Sequence, residues 1–308
     1  RNAYVTQPVC TPSRSTLMTG LYPHTNGCTR NNIRLPMETP CLPELGDFRA
    51  YATGYHGKWH LGDEIYPQHN FHDWISIDDN YCGHYRDYRS HNDKSTYYHW
   101  LREQGVEPNV NSNGWTCYSR DFCARLPEEQ SKPAYLAGEA SRFIRENRNR
   151  PWLLTVNFFE PHMPYYGPRD KQYDPADVTL PDDFNAAPGE DQPTKTRALA
   201  EWYRRHGHSG QPVADEAGWR QMIAKYWGLC SLVDTHFGRI LDTLEATGQA
   251  DNTIVVYTSD HGDMMGSHQL LAKCVQFQRA VRVPLLIRLP GVAGGRTLDD
   301  PVGQVDLV

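Results

Sequence analysis

A thiol, a proline and an arginine stand at fixed offsets near the amino end, in Cys10-Thr11-Pro12-Ser13-Arg14, and a helix-competent segment from Ser15 to Thr19 follows at once. A cysteine just before a helix start sits where backbone N–H groups and the helix dipole favour anions. Arg14, one turn on, adds a planar guanidinium fork suited to a tetrahedral oxyanion. Such a pairing could carry a group-transfer reaction at an anionic centre.

Three further stretches hold groups of the same kind. In Gly57-Lys58-Trp59-His60-Leu61-Gly62, Lys58 and His60 are two residues apart, so an extended backbone would point both into one cleft. His162 lies in Glu160-Pro161-His162-Met163-Pro164, where prolines stiffen the backbone around an imidazole able to protonate a departing alkoxide. Ser259-Asp260-His261-Gly262-Asp263 offers a hard anionic oxygen of the kind Ca²⁺ or Mg²⁺ prefers, beside a second imidazole. Gly266, His268, Lys273 and Arg282-Val283-Pro284 follow it.

Taken in order, these four stretches resemble the motifs of the type I sulfatases, in the alkaline phosphatase-like superfamily. The match includes Ser15-Thr16-Leu17-Met18-Thr19-Gly20 after the Cys-x-Pro-Ser-Arg core, and it runs from Asn2 to Leu307. The resemblance implies that Cys10 is oxidised to Cα-formylglycine by a formylglycine-generating enzyme that reads Cys10, Pro12 and Arg14. It implies a hydrate at position 10 as nucleophile, with Arg14, Lys58 and Lys273 against the sulfate oxygens. It implies His60 on the hydrate and His162 facing the leaving oxygen. A divalent metal, Ca²⁺ with Mg²⁺ as the alternative, is implied at Asp260, His261 and the oxidised Cys10. Asp263 and His268 read as supporting loop residues. The implied reaction releases inorganic sulfate from a small-molecule or carbohydrate sulfate ester. The nearest rival is a phosphonate monoester or phosphodiester hydrolase of the same superfamily, against which the Lys58–His60 motif argues.

Groups so far apart in sequence must be brought together by strand ends. Trp152–Phe159, Thr253–Thr258 and Pro284–Leu289 are short, β-branched or aromatic and nearly continuous in apolar character, as in parallel strands covered on both faces. Trp219, Met222, Ile223, Tyr226, Leu229, Val233, Phe237, Ile240, Leu241 and Leu244 recur at helical spacing, and Gly248 supplies a stop. A second helix spans Ala134 to Arg148, just before the Trp152 strand. The alternation predicts an α/β fold with a mainly parallel central sheet and helices on both faces. In such sheets ligands bind beyond the carboxyl ends of strands, where His162 and Asp260 fall. Residues 63–130 and 165–215, rich in Asp, Asn, Gly, Pro, Tyr and His, read as long loops shaping a cleft.

The chain of 308 residues carries a formal charge of −6 with no basic patch, which argues against a nucleic-acid partner. No apolar run approaches ~18 residues, so no membrane-spanning helix is expected. Eight cysteines, including Cys117, could pair in an exported protein, and no Cys-x-x-Cys suggests a zinc ribbon. Periplasmic, secreted and cytoplasmic settings all stay open. The family's fold begins with a strand ending in an Asp-Asp pair, yet only nine residues precede Cys10 and none is acidic. Residues 1–308 therefore read as a sulfatase catalytic domain truncated at both ends, without its first strand or a C-terminal subdomain. Asp78-Asp79, Asp182-Asp183 and Asp299-Asp300 come too late to substitute and read as surface or loop pairs. With about half its metal ligands, the polypeptide alone is expected to be inactive or poorly folded.

Overall fold

The computed structural model describes residues 2–107 and 120–308, so Cys117 lies outside the described residues. Its strands are β1 (Ala3–Tyr4), β2 (Ala52–Gly57), β3 (Asp73–Ile75), β4 (Trp152–Asn157), β5 (Val255–Thr258), β6 (Arg282–Val283), β7 (Leu285–Arg288) and β8 (Val302–Gly303). The longer helices are α1 (Cys10–Thr19), α2 (Thr96–Glu103), α3 (Lys132–Glu146), α4 (Thr194–His206) and α5 (Glu216–Ala246). Among the described residues, no helix is long and apolar enough to cross a membrane.

β2 is the centre of a parallel sheet of order β3-β2-β4. Its alternate side chains meet different layers, as the twofold pleat dictates. Gly54 and His56 face Phe143 of α3. Tyr55 packs on the other side with Met18 of α1, Trp59, Phe71 and Trp74. Helices thus cover both faces. α3 starts at Ser131, whose side chain accepts from the Ala134 N–H, and α5 at Asp215, which accepts from the Gly218 N–H. The two helices pack through Ala137, Ala140, Ile144, Ile240 and Leu244, and the apolar side of β4 rests on this pair.

Where β2 ends, the register pairs Gly57 with Asn157, and the Lys58 N–H donates to Asn157 O at 3.1 Å. Gly57 has φ +111°, and a Cβ there would stand 2.0 Å from Asn157 O, so glycine is required. This fixes the exit of Lys58 beside the end of β4.

The Thr253 and Pro284 strands differ from the sequence expectation. β5 and β7 pair antiparallel with each other, and Ile254, Val256, Leu286 and Ile287 are exposed rather than covered on both faces. A continuous apolar run reports what a strand's faces tolerate, not its direction or partner. β1, just ahead of α1, is antiparallel to β6 and parallel to β8. The 63–130 and 165–215 stretches also contain order of their own, including β3, α2 and α4.

Candidate active site

Cys10 is the first residue of α1 rather than the one before it, with Val9 as an N-cap that contributes no side-chain hydrogen bond. Its neighbours are fixed tightly. The Thr11 N–H donates to Asn31 Oδ1 at 3.0 Å, and Thr11 Oγ1 donates to the His60 carbonyl at 2.8 Å. Ser13 donates to the Asp260 carbonyl and, at 2.8 Å, to Gln304 Oε1. One helical turn thus ties the β2 and β5 exits together.

The Cys10 Sγ is buried and lies 3.2 Å from His261 Nε2. His162 also comes within hydrogen-bonding reach of it, and His60 stands close enough for the two to interact. Burial alone would push this thiol up. The fields of Lys58 and Lys273, with hydrogen bonds from His162 and His261, outweigh burial and hold it well below its ordinary value. Lys58 itself is lowered by burial, and its ammonium lies 5.3 Å from the Phe159 ring centroid.

Arg14 Nε donates to Asp260 Oδ2 at 2.9 Å, and its NH1 donates to the Lys58 carbonyl at 2.6 Å. Burial raises the Asp260 carboxyl, but Arg14 and His261 bring it down to about 2, so it stays ionised. His261 gives Nδ1–H to Gly262 O at 2.8 Å; burial lowers it, but Asp260 and Cys10 leave it raised overall.

The other imidazoles stay neutral. Burial and Lys58 press His162 down to about 3, and its Nδ1–H goes to Met163 O at 2.9 Å. Burial takes His60 to about 4, and its Nε2–H goes to Asn32 Oδ1 at 2.8 Å. His60 Nδ1 keeps a buried lone pair.

The structure therefore gathers Cys10, Arg14, Lys58, His60, His162, Asp260 and His261 around one point, with half-buried Lys273 close enough for its charge to act on Cys10. The route differs from the sequence reading for Lys58 and His60. They are not on an extended strand, because His60 has φ +58°. Glu64 makes that bend by accepting the Trp59 N–H at 2.8 Å and the His60 N–H at 2.6 Å.

One sequence reading is corrected outright. Asp78 and Asp79 are not a surface or loop pair, since each is 1 % exposed. Arg120 NH2 meets Asp78 at 3.1 Å, and Ser95 donates to Asp79 through N and Oγ at 2.7 Å each. Arg120 also donates to Tyr81 OH at 2.9 Å, and Tyr81 stacks on His60 with centroids 4.0 Å apart. Sequence reasoning missed Asn32, Glu64, Tyr81, Arg120 and Asn157. Asn157 alone carried a signal, its place at the carboxyl end of a parallel strand.

Cys10, Asp260 and His261 place their ligand atoms within 4.8 Å of one another. An ionised carboxylate and an imidazole suit a divalent cation, but Ca²⁺ takes about six to eight oxygens. Among the described residues Asp260 is the one carboxylate in this group, so the donors present form part of such a shell.

Comparison with known proteins fits this arrangement. The ulvan-active sulfatase of Formosa agariphila is 28% identical over 320 residues, covering 100% of this chain and 52% of its own. The sulfatase YidJ of Escherichia coli K12 is 29% identical, covering 100% and 58%. This chain thus spans about half the length of the curated relatives it matches. Among solved structures, a phosphonate monoester hydrolase from Silicibacter pomeroyi superposes with TM-score 0.77 at 24% identity over 100% of this chain and 64% of its own. BT4656, solved with its substrate D-glucosamine-2-N,6-O-disulfate, gives 0.70 at 21% identity over 99% and 67%. These two likenesses establish the alkaline phosphatase-like fold. The family of sulfatases, whose members generally use a divalent metal and a formylglycine, matches residues 1–308, and the chain belongs to it.

Proposed function

We propose that this chain hydrolyses sulfate esters through an oxidised Cys10. The observation that carries the reading is the Cys10 thiol itself, drawn toward its anionic form by Lys58 and Lys273 at the start of a helix, among three imidazoles. Formylglycine at position 10 would supply a geminal diol, one hydroxyl to attack sulfur and the other to let sulfate leave. A divalent cation, Ca²⁺ in this reading with Mg²⁺ as the alternative, would be held by position 10, Asp260 and His261 and would neutralise sulfate oxygens.

The chain's own groups do the rest. Arg14 locks Asp260 and the Lys58 carbonyl in place, so positive charge converges on the sulfate without reorganising. His60, with Nε2–H committed to Asn32, offers Nδ1 as the acceptor for a proton from position 10. His162 is neutral in the free site because the Lys58 field opposes a second proton. An anionic ester between Lys58 and Lys273 offsets that field, which lets Nε2 take up the proton it then delivers to the departing alkoxide.

The substrate class we infer is a sulfated carbohydrate. The polar, aromatic-rich loops around the site support it, as do the ulvan-active relative and the glucosamine disulfate held by BT4656. Maturation would require a formylglycine-generating enzyme.

The test uses the protein at its natural length, produced with that maturation enzyme. Mass spectrometry of the Cys10 peptide is expected to find the aldehyde, and 4-nitrophenyl sulfate is expected to be cleaved faster than a phenylphosphonate ester. Cys10→Ala should abolish turnover, and Cys10→Ser should stop after one event with sulfate attached. Full sulfate release by protein with an intact Cys10 thiol would overturn the reading, and faster phosphonate cleavage would move the chain to the rival activity.

A further inference from the structure

A second cluster of ligand-type side chains lies away from Cys10. Cys41, Glu44 and His69 place one ligand atom each within 4.8 Å of one another. Cys41 and His69 are 0% and 3% exposed, whereas the Glu44 side chain is partly open. The Glu44 N–H donates to the Cys41 carbonyl oxygen at 2.7 Å at the start of the short helix Leu42–Leu45. Glu44 Oε2 accepts the Cys41 N–H at 2.8 Å and lies 2.9 Å from His69 Nδ1. His69 Nε2 is buried with no hydrogen-bond partner. Cys28, also 0% exposed, packs into the same cluster.

Hydrogen bonding within the trio leaves one cost unmet. A neutral His69 that gives Nδ1–H to Glu44 keeps a bare, buried lone pair on Nε2, and a buried polar atom without a partner is expensive. Sulfur, imidazole nitrogen and a carboxylate oxygen form a borderline-soft donor set, the set of Zn²⁺ rather than of Ca²⁺.

We propose that Cys41, Glu44 and His69 form a structural site for a zinc-class divalent cation, with Cys28 placed to complete it. Binding releases the Cys41 thiol proton to solvent and forms a metal–sulfur bond. The site joins three segments distant in sequence, around residues 28, 41–44 and 69. All three enclose Trp59, which packs with Cys28 and Cys41 and lies 5.9 Å from the His69 ring. The cation would thereby brace the turn that carries Lys58 and His60.

The experiment uses the protein at its natural length carrying Cys10→Ala, so that no active-site thiol can bind metal. Reduced, chelator-stripped protein is titrated with Co²⁺. A thiolate-to-cobalt charge-transfer band is expected, saturating at an equimolar amount, bleached by Zn²⁺ and indifferent to Ca²⁺. His69→Ala should weaken Co²⁺ binding by about tenfold or more, and Cys41→Ser should weaken the band markedly. Because Cys41→Ser removes a buried core side chain, X-ray absorption of the zinc form without it provides a second reading, with sulfur expected at about 2.3 Å from zinc. A natively folded protein without the band, a band left unchanged by Cys41→Ser, or a Cys28–Cys41 disulfide found by mass spectrometry would each overturn the proposal.

Discussion

Burial pushes the thiols of Cys28, Cys41, Cys123, Cys230 and Cys274 upward, whereas Cys10, buried as deeply, is pulled down. The difference is charge: Lys58 and Lys273 face Cys10, and histidines bond its sulfur. A site that stabilises a thiolate equally stabilises an oxyanion at the same point. What each histidine can do there depends on where its fixed proton goes. Asn32 holds the His60 tautomer from outside the reacting atoms, which makes it a positioning residue. Asn32→Leu is expected to lower kcat about tenfold or more while changing KM little, because under the proposed function sulfate would still meet Arg14, Lys58 and Lys273. Asn32→Gln, which keeps an acceptor, should recover part of the loss. Steady-state kinetics on the matured protein checks this, and a change confined to KM would assign Asn32 to substrate binding instead.

At the scale of elements, the sheet delivers the site through the exits of β2, β4 and β5. The sequence made α3, α5 and β4 readable because each carries a local pattern, a helical spacing of apolar residues in α5 and a near-continuous apolar run in β4. β2 was harder to see. Its sequence, Ala-Thr-Gly-Tyr-His-Gly, has little apolar pattern, and burial comes from Phe143 on one side and Trp59 on the other. Asp78 and Asp79 were misread for the same reason. A pair of acids looks solvated until Arg120, some forty residues on, closes over one and Ser95 over the other. The four motifs around Cys10, Lys58, His162 and Asp260 were legible because their chemistry is local, whereas Asn32, Glu64 and Tyr81 act only through the fold. The loop after β3 also carries a testable pH dependence. Burial raises the Asp79 carboxyl to about 6 despite the Ser95 donors. A folded-state value above the unfolded one means the stability is full below the unfolded pKa and is lost as pH rises through the folded one. The loss should be about 3 kcal/mol between pH ~4 and ~6. Asp79→Asn cannot ionise. Denaturant midpoints of the variant should therefore gain on the parent across that window and run parallel above it. A difference constant with pH would mean that Asp79 is not held protonated.

Across the whole molecule, two regions differ in how their surface is used. Arg14, Lys58 and Lys273 of an otherwise acidic chain converge in the pocket at Cys10, whereas the β5–β7 ribbon presents bare apolar side chains. Ile254 is 63% exposed, Leu286 60%, Ile287 51% and Val256 48%. Val256 and Ile287 are cross-strand partners, so they make one continuous patch, and neither outer edge of this two-stranded sheet is paired among the described residues. Apolar patches beside open strand edges promote association. A polypeptide of these 308 residues is accordingly expected to bind a hydrophobic dye and to sediment as more than a monomer. Val256→Lys with Ile287→Glu places opposite charges across the same strand pair, which interrupts the patch and adds a favourable contact. The double variant should bind markedly less dye and shift toward monomer, with its far-ultraviolet circular dichroism unchanged. Equal dye binding by the two polypeptides would place the exposed apolar surface elsewhere and leave this ribbon without a role in association.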